Sequence, residues 1–220
     1  MVQLRVKMKV TAVVPVYNEE KTVKGVLEAL TSNSRINNVI VVDGCSTDNT
    51  PSIIKKFKVK IIMLKKTEGK GEAVRIGTKN IKSGIILFFD ADLIGLKGEH
   101  IDKLLDPIIE EKAVMVIGLR DKGNMVANRL MPYFPLTGGE RAILTKVFMK
   151  IRKNPLIGGW GLESVMNDYC KKKRLKVAKV MLKGVDHIGL QTKKYGWMAF
   201  LKEIYDVIST KIKLLPVKYN

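Results

Sequence analysis

Short, nearly unbroken apolar runs recur along the chain at residues 10–14, 39–42, 59–63, 85–89 and 113–117. Each is rich in β-branched residues and lacks polar alternation, the pattern of a strand buried on both faces. Between them, residues 19–30, 50–57, 71–80 and 99–110 read as helices. Thr50 followed by Pro51 reads as a helix cap and first helical residue, and Asn18 as the cap of the first helix. Strand and helix in alternation predict an α/β protein: a mostly parallel sheet with helices on both faces.

After Arg120 the pattern changes. Residues 121–137 form a long irregular stretch with Gly123, Pro132 and Pro135; loops of that length inside a compact domain are usually functional or mobile. Residues 139–151 and 162–172 then read as helices, and 177–182 as a strand. His187 falls in a loop. The closing stretch, 197–215, reads as a helix with Phe200, Leu201, Ile204, Tyr205, Ile208 and Ile212 on one apolar stripe. One domain over residues 1–220 is expected, its first half ending at residue 120.

Ligands of open α/β sheets bind beyond the carboxyl ends of the strands. Here those ends carry PVYNE (15–19), Asp43 and DAD (90–92). Any one of them reads as ordinary turn or cap chemistry; three together mark a site. Asp90 and Asp92 flank a single alanine, and like charges that close need a cation or a raised pKa. Mg2+ or Mn2+ holding a diphosphate suits such oxygen ligands. EGKGEAVRIG (68–77) puts Lys70 and free backbone N–H groups at a helix start, a setting for phosphates. It is neither GxxxxGK[ST] nor GxGxxG, which argues against a P-loop NTPase and a dinucleotide-binding dehydrogenase.

Further along, Gly138 and Gly139 ahead of a predicted helix, with Arg141 on its first turn, offer an anion site. Arg120, at the end of the fifth strand, is a candidate phosphate contact. Glu163, Asn167 and Cys170 share one helix face by spacing, and Glu163 follows a Gly-Trp-Gly turn with room for a substrate.

PVYNEE, VVDGCSTDNT, GKGEAVRIG and FFDADL, in this order, resemble the nucleotide-sugar half of the GT-A glycosyltransferases of the family 2 type. The resemblance implies a Rossmann-like GT-A fold, a UDP- or GDP-sugar donor, and Mg2+ or Mn2+. It implies that Pro15, Tyr17 and Glu19 line the base and ribose pocket and that Asp43 takes the N3–H of the base. Asp90 and Ala91 would lie along the ribose, Asp92 would hold the metal, and Lys70 would face the charge of the leaving diphosphate. One departure is that Gly44 follows Asp43 where many members have a second acid, which leaves the base open between uracil and guanine. FPLTGGERAI, GGWGLES and VDHIGLQ are similar to the glucosyl-3-phosphoglycerate synthases and their mannosyl relatives. That similarity implies that Gly138, Gly139, Glu140 and Arg141 lie by acceptor and sugar. It puts Glu163 near the acceptor hydroxyl, as its base in an inverting reaction or as a positioning group in a retaining one, and His187 on the metal.

Charge narrows the partners. Forty Lys+Arg against 21 Asp+Glu give a formal +19, which favours phosphorylated small molecules, polyanions or an anionic membrane face. A basic nucleic-acid-binding module explains the charge but not the strand-end acids, and at 6% aromatics there is no evident stacking platform. The expectation is therefore a metal-dependent hexosyltransferase with a phosphorylated or acidic small acceptor such as 3-phosphoglycerate, and no nucleic acid. A polyprenyl-phosphate glycosyltransferase at the membrane surface is the alternative, and a homo-oligomer stays open. The two cysteines have no CxxC spacing, residues 1–9 carry no leader pattern, and no apolar run approaches the ~20 residues of a membrane span. A cytoplasmic protein, with peripheral membrane contact left open, is expected.

Overall fold

A computed structural model describes residues 8–120, 138–158, 161–187, 205, 209–210, 212–215, 217 and 219. The first four apolar runs become β1 (Val10–Val16), β2 (Asn38–Asp43), β3 (Lys60–Met63) and β4 (Ile85–Phe88). β5 (Leu93–Ile94) follows at once. The fifth run becomes β6 (Met115–Arg120), and β7 (Arg141–Leu144), β8 (Val177–Leu182) and β9 (Asp186–His187) come from the second half. Seven of them form one sheet of order β3-β2-β1-β4-β7-β6-β8; β5 and β9 make a separate two-stranded ribbon. All pairs in the large sheet are parallel except those of β7, which runs against both β4 and β6. The mostly parallel sheet expected from the alternation is found.

Strand residues alternate between two cores, which explains why the runs look continuous. Val10, Ala12, Val14, Val39, Val41, Ile85 and Leu87 face one side with α1 (Val23–Ser32), α2 (Thr50–Ile54) and α4 (Gly98–Ile109). Val13, Ile40, Val42, Ile86 and Phe88 face the other with α3 (Lys70–Gly77), α5 (Thr145–Ile151) and α6 (Leu162–Lys172). With both faces covered, a polar group buried on a strand is costly unless it finds a specific partner. Among the described residues no helix is long and apolar enough to cross a membrane.

Several local expectations change. Residues 139–151 do not form one helix: Arg141–Leu144 is a strand and the helix begins at Thr145. An Ala-Ile-Leu run is ambiguous by pattern alone. The deciding factor is that β4 and β6 each present an open backbone edge, and β7 fills the gap between them. Thr50 is the first residue of α2 rather than its cap, and its Oγ1 accepts from the Glu19 backbone N–H at 2.8 Å. Asn18 does not cap α1, which starts at Val23; it sits at φ 54° and its Oδ1 accepts from the Thr47 N–H at 2.8 Å. His187 is in a strand, not a loop. The irregular stretch 121–137 and most of the closing helix fall outside the described residues.

The shift at β7 changes the meaning of Arg141. It is 0% exposed, so it cannot meet an acceptor phosphate from a helix N-terminus. Its Nε donates to the Gly138 carbonyl at 2.7 Å and Nη1 to Asn167 Oδ1 at 2.7 Å. The Glu163/Asn167/Cys170 face of α6 does exist, and Arg141 packs against it. Arg141→Ala should therefore act on stability. Two charge-assisted hydrogen bonds and the side-chain volume are lost, for a cost of about 3 kcal/mol. That is a fall of roughly 6–12 °C in melting temperature, readable by thermal unfolding. An unchanged melting temperature would refute the structural role.

Candidate active site

Register brings the strand ends to one rim. Val16 is level with Asp43, Asp43 with Met63, and β4 is paired to β1 through Val13 and Phe88. Tyr17, Asp43 and the Asp90–Asp92 turn leave the sheet from that edge. Asp43 is 0% exposed. Its Oδ1 accepts from the Ser46 N–H at 3.1 Å and the Ser46 hydroxyl at 2.5 Å. Its Oδ2 has no hydrogen-bond partner among the described residues. An unmatched buried carboxylate oxygen costs about 1–3 kcal/mol, a cost that an incoming N–H donor removes. Next to it, Gly44 donates its N–H to the Val16 carbonyl at 2.8 Å, and Thr67 Oγ1 donates to the Gly44 carbonyl at 2.9 Å. Tyr17, 42% exposed, lies beside Gly44, and Pro15 is half-buried in β1.

The loops after β1 and β2 are laced together. The Asn18 N–H donates to Ser46 Oγ at 2.9 Å, the Glu20 N–H to Asp48 Oδ2 at 3.2 Å, and the Asn49 N–H to Glu20 Oε2 at 3.0 Å. These bonds, with the Glu19–Thr50 bond, hold Tyr17 and Glu19 where the strand leaves them. Ser46, Asp48 and Thr50 thus brace the loop after β1, a role the sequence did not reveal. Their signal was the run of hydroxyl and acidic residues in CSTDNTP.

Lys70, first residue of α3, sends its ammonium between two carboxylates: 2.7 Å to Asp90 Oδ1 and 2.7 Å to Glu163 Oε1. Burial would lower its pKa, but the two acids outweigh burial and raise it. Burial likewise pushes Asp90 up, and Lys70, Arg120 and His187 more than reverse the effect, holding it below the ordinary carboxylate range. Gly139 makes the arrangement fit, because a Cβ there would lie 2.3 Å from Asp90 Oδ2 and 3.0 Å from Lys70 Nζ. The cation that Asp90 needs is thus Lys70, and Glu163 is bound to the same ammonium. Ala91 packs its methyl into the core, which leaves only its backbone for a ligand.

Glu140 lies just before β7 and is 0% exposed. Neither carboxyl oxygen has a hydrogen-bond partner among the described residues, and Arg120 Nε is 3.8 Å from Oε2. Burial pushes its pKa up to about 7, against the pull of Arg120 and with a further push from Asp90.

Asp92 and His187 lie close enough across the ribbon to interact electrostatically: Asp92 directly precedes β5, and His187 pairs with Leu93. The imidazole pKa is lowered by burial and by Arg120, against Asp92 and Asp186, which keeps the ring neutral and able to ligate. Its buried Nδ1 has no hydrogen-bond partner among the described residues, with Asp186 Oδ1 at 3.4 Å. One carboxylate and one imidazole fit Mn2+ or Mg2+ that takes its other ligands from a diphosphate and water. Among the described residues no group of three or more His, Cys, Asp or Glu side chains gathers at one point.

A model of glycosyl transferase family 2 matches residues 11–166. The UDP-N-acetylglucosamine–dolichyl-phosphate N-acetylglucosaminyltransferase of Methanococcus voltae is 33% identical over 134 residues, 50% of this chain and 51% of its own. The dolichol-phosphate mannosyltransferase of Pyrococcus furiosus is 29% identical over 171 residues, 70% of this chain and 46% of its own. The chain spans about half the length of the curated relatives it matches. Among solved structures, glucosyl-3-phosphoglycerate synthase from Mycobacterium tuberculosis with Mn2+, UDP and glucosyl-3-phosphoglycerate superposes with a TM-score of 0.76. The identity is 22%, covering 96% of this chain and 81% of that one. At that identity the likeness is one of fold, and it supports the GT-A architecture.

The Glu140 environment makes a pH prediction. With a folded pKa of about 7, well above the ordinary glutamate range, the folded state keeps a proton that the unfolded chain has lost across that window. Stability contributed by Glu140 is therefore present at low pH and lost as pH rises towards 7. Glu140→Gln cannot ionise, so its melting temperature relative to the parent should climb from pH 5 to pH 8. Parallel melting curves across that range would remove the perturbed carboxyl from the account.

Proposed function

The chain belongs to glycosyl transferase family 2, and on that premise we propose that it transfers a hexosyl unit from a uridine diphosphate sugar to a phosphate-bearing acceptor, with a divalent cation on Asp92 and His187. One observation carries this reading: a buried carboxylate with an unused oxygen, Asp43, shares a sheet rim with the Asp92–His187 pair. Uracil offers the N–H that Asp43 Oδ2 lacks, and the exposed Tyr17 beside it suits an aromatic ring. When bound, the cation would supply Lewis-acid stabilisation of the diphosphate leaving group. Lys70 is already out of water and charged, so it can add a phosphate or sugar oxygen to its two carboxylate partners without being desolvated afresh. Glu163 is suited to positioning, because its Oε1 is already engaged by the Lys70 ammonium at 2.7 Å.

Two acceptor classes share the phosphate chemistry. The solved neighbours hold phosphoglyceric acid, which supports a small phosphorylated acid. The dolichyl-phosphate acceptors in the names of the Methanococcus and Pyrococcus relatives support a polyprenyl phosphate as the second reading. Release of UDP measured with 3-phosphoglycerate and with a short polyprenyl phosphate separates the two. Stimulation by neither would count against a phosphate acceptor.

The donor side is tested first. Calorimetry with UDP, with and without Mn2+, should show metal-dependent binding. Asp92→Ala should weaken the Mn2+-dependent part roughly 100-fold, the scale of one charged interaction of about 3 kcal/mol. His187→Ala should weaken it less, since a neutral ligand is lost. Metal-free UDP binding should survive both, because Asp43 and Tyr17 are untouched. An Asp92→Ala variant with unchanged metal dependence would end the metal assignment.

A further inference from the structure

The proposed metal ligands hang from a very small ribbon. β5 and β9 contribute two residues each, paired Leu93 with His187 and Ile94 with Asp186. Two strands of that length do not hold together by themselves in water. Ile94 and Asp186 lie on the exposed side, so the ribbon must be fastened elsewhere. Leu93 and Val185 anchor it in the core. Gly95 and Gly184, at φ 76° and 75°, let the two chain segments approach so closely that a Cβ on Gly95 would lie 2.3 Å from the Gly184 carbonyl oxygen.

The remaining fastening is His100, in the first turn of α4 and 1% exposed. Its Nδ1 accepts the Lys97 backbone N–H at 3.0 Å, and its Nε2 meets the Lys183 carbonyl oxygen at 3.0 Å. Both bonds together require one neutral tautomer, with the proton on Nε2. Lys183 stands in the turn between β8 and β9, four residues before His187. We propose that His100 is a positioning residue for the metal site: it ties the β8–β9 turn to α4 and so sets where His187 stands relative to Asp92. This rests on the reading of Asp92 and His187 as the metal ligands. α4 packs on β6, β7 and β8, so the bond refers His187 to the body of the sheet. Burial lowers the His100 pKa, in keeping with the neutral ring. Ligands must be held within about 0.5 Å of productive geometry, and β9 has no other side-chain hydrogen bond to α4 among the described residues.

Two substitutions divide the functions of the imidazole. His100→Asn keeps an oxygen where Nδ1 stood, so it can still take the Lys97 N–H, but it is too short for Lys183. His100→Gln places an amide N–H near the Nε2 position and can keep the Lys183 bond. Mn2+ affinity at saturating UDP is measured by electron paramagnetic resonance, with metal-free UDP affinity and melting temperature alongside. His100→Asn should lose roughly 10–100-fold in Mn2+ affinity, the range for losing a supporting partner. Its metal-free UDP binding should be unchanged, and His100→Gln should stay near the parent. Gly95→Ala carries the same test without touching His100. It opens the ribbon from the other side and should weaken Mn2+ in the same way, which covers a failure of His100→Asn to fold. Parental Mn2+ affinity in His100→Asn or Gly95→Ala, or an equal loss in His100→Gln, overturns the proposal. If the parent protein itself binds no Mn2+ with UDP, the metal reading fails first and takes this inference with it.

Discussion

The ammonium of Lys70, 2.7 Å from Asp90 and 2.7 Å from Glu163, determines how the two parts of the chain meet at the rim. It joins the start of α3, the end of β4 and the first turn of α6. Taking three charges out of water costs several kcal/mol per ion, and attraction returns that cost only when the geometry is right and no partner is missing. Such a cluster behaves as a unit: withdrawing one member strands the others. Gly139 is part of the constraint because any side chain there would occupy the space of the ion pair. Lys70, Asp90 and Glu163 are therefore held at a fixed separation before any ligand arrives.

Around this cluster the charge of the site opposes that of the chain. The protein carries a formal +19, yet the rim gathers Asp43, Asp90, Asp92, Glu140 and Glu163. A positive exterior attracts anions in general, while carboxylates gathered at the rim call for cationic or N–H partners. Arg120 and Lys70 keep the acids from repelling one another, and Glu140, least well compensated of them, carries a pKa pushed up to about 7. The small β5–β9 ribbon adds Asp92 and His187 to the same rim and takes its orientation from α4.

β7 shows how packing overrides local pattern. Ala142, Ile143 and Leu144 suit a helix as well as a strand, and the residues that follow are helical. Strand order settles the question: with β6 and β8 in the sheet, the edges of β4 and β6 face a gap one strand wide. A buried backbone edge without partners is costly. The same choice turns Arg141 inward, where Gly138 and Asn167 receive it, and leaves Glu140 buried beside Arg120, whose Nε is 3.8 Å from its Oε2.

Continuous β-branched runs, the helices between them and the acids at the strand ends were legible in the sequence, because each depends on neighbours within a few residues. From them followed the α/β class, the mostly parallel sheet and the rim with Tyr17, Asp43, Asp90 and Asp92. The CSTDNTP run was visible, but its lacing to Asn18 and Glu20 was not, since those partners lie about 28 to 31 residues away. The Lys70–Glu163 contact spans 93 positions, and the His100–Lys183 bond 83. Nothing local marks such pairs, because each residue alone passes for a surface charge or a helix-end histidine. Which groups are buried, and so which must find a partner, is decided only when strands from both halves enter one sheet and desolvation makes an unpaired charge too costly to keep.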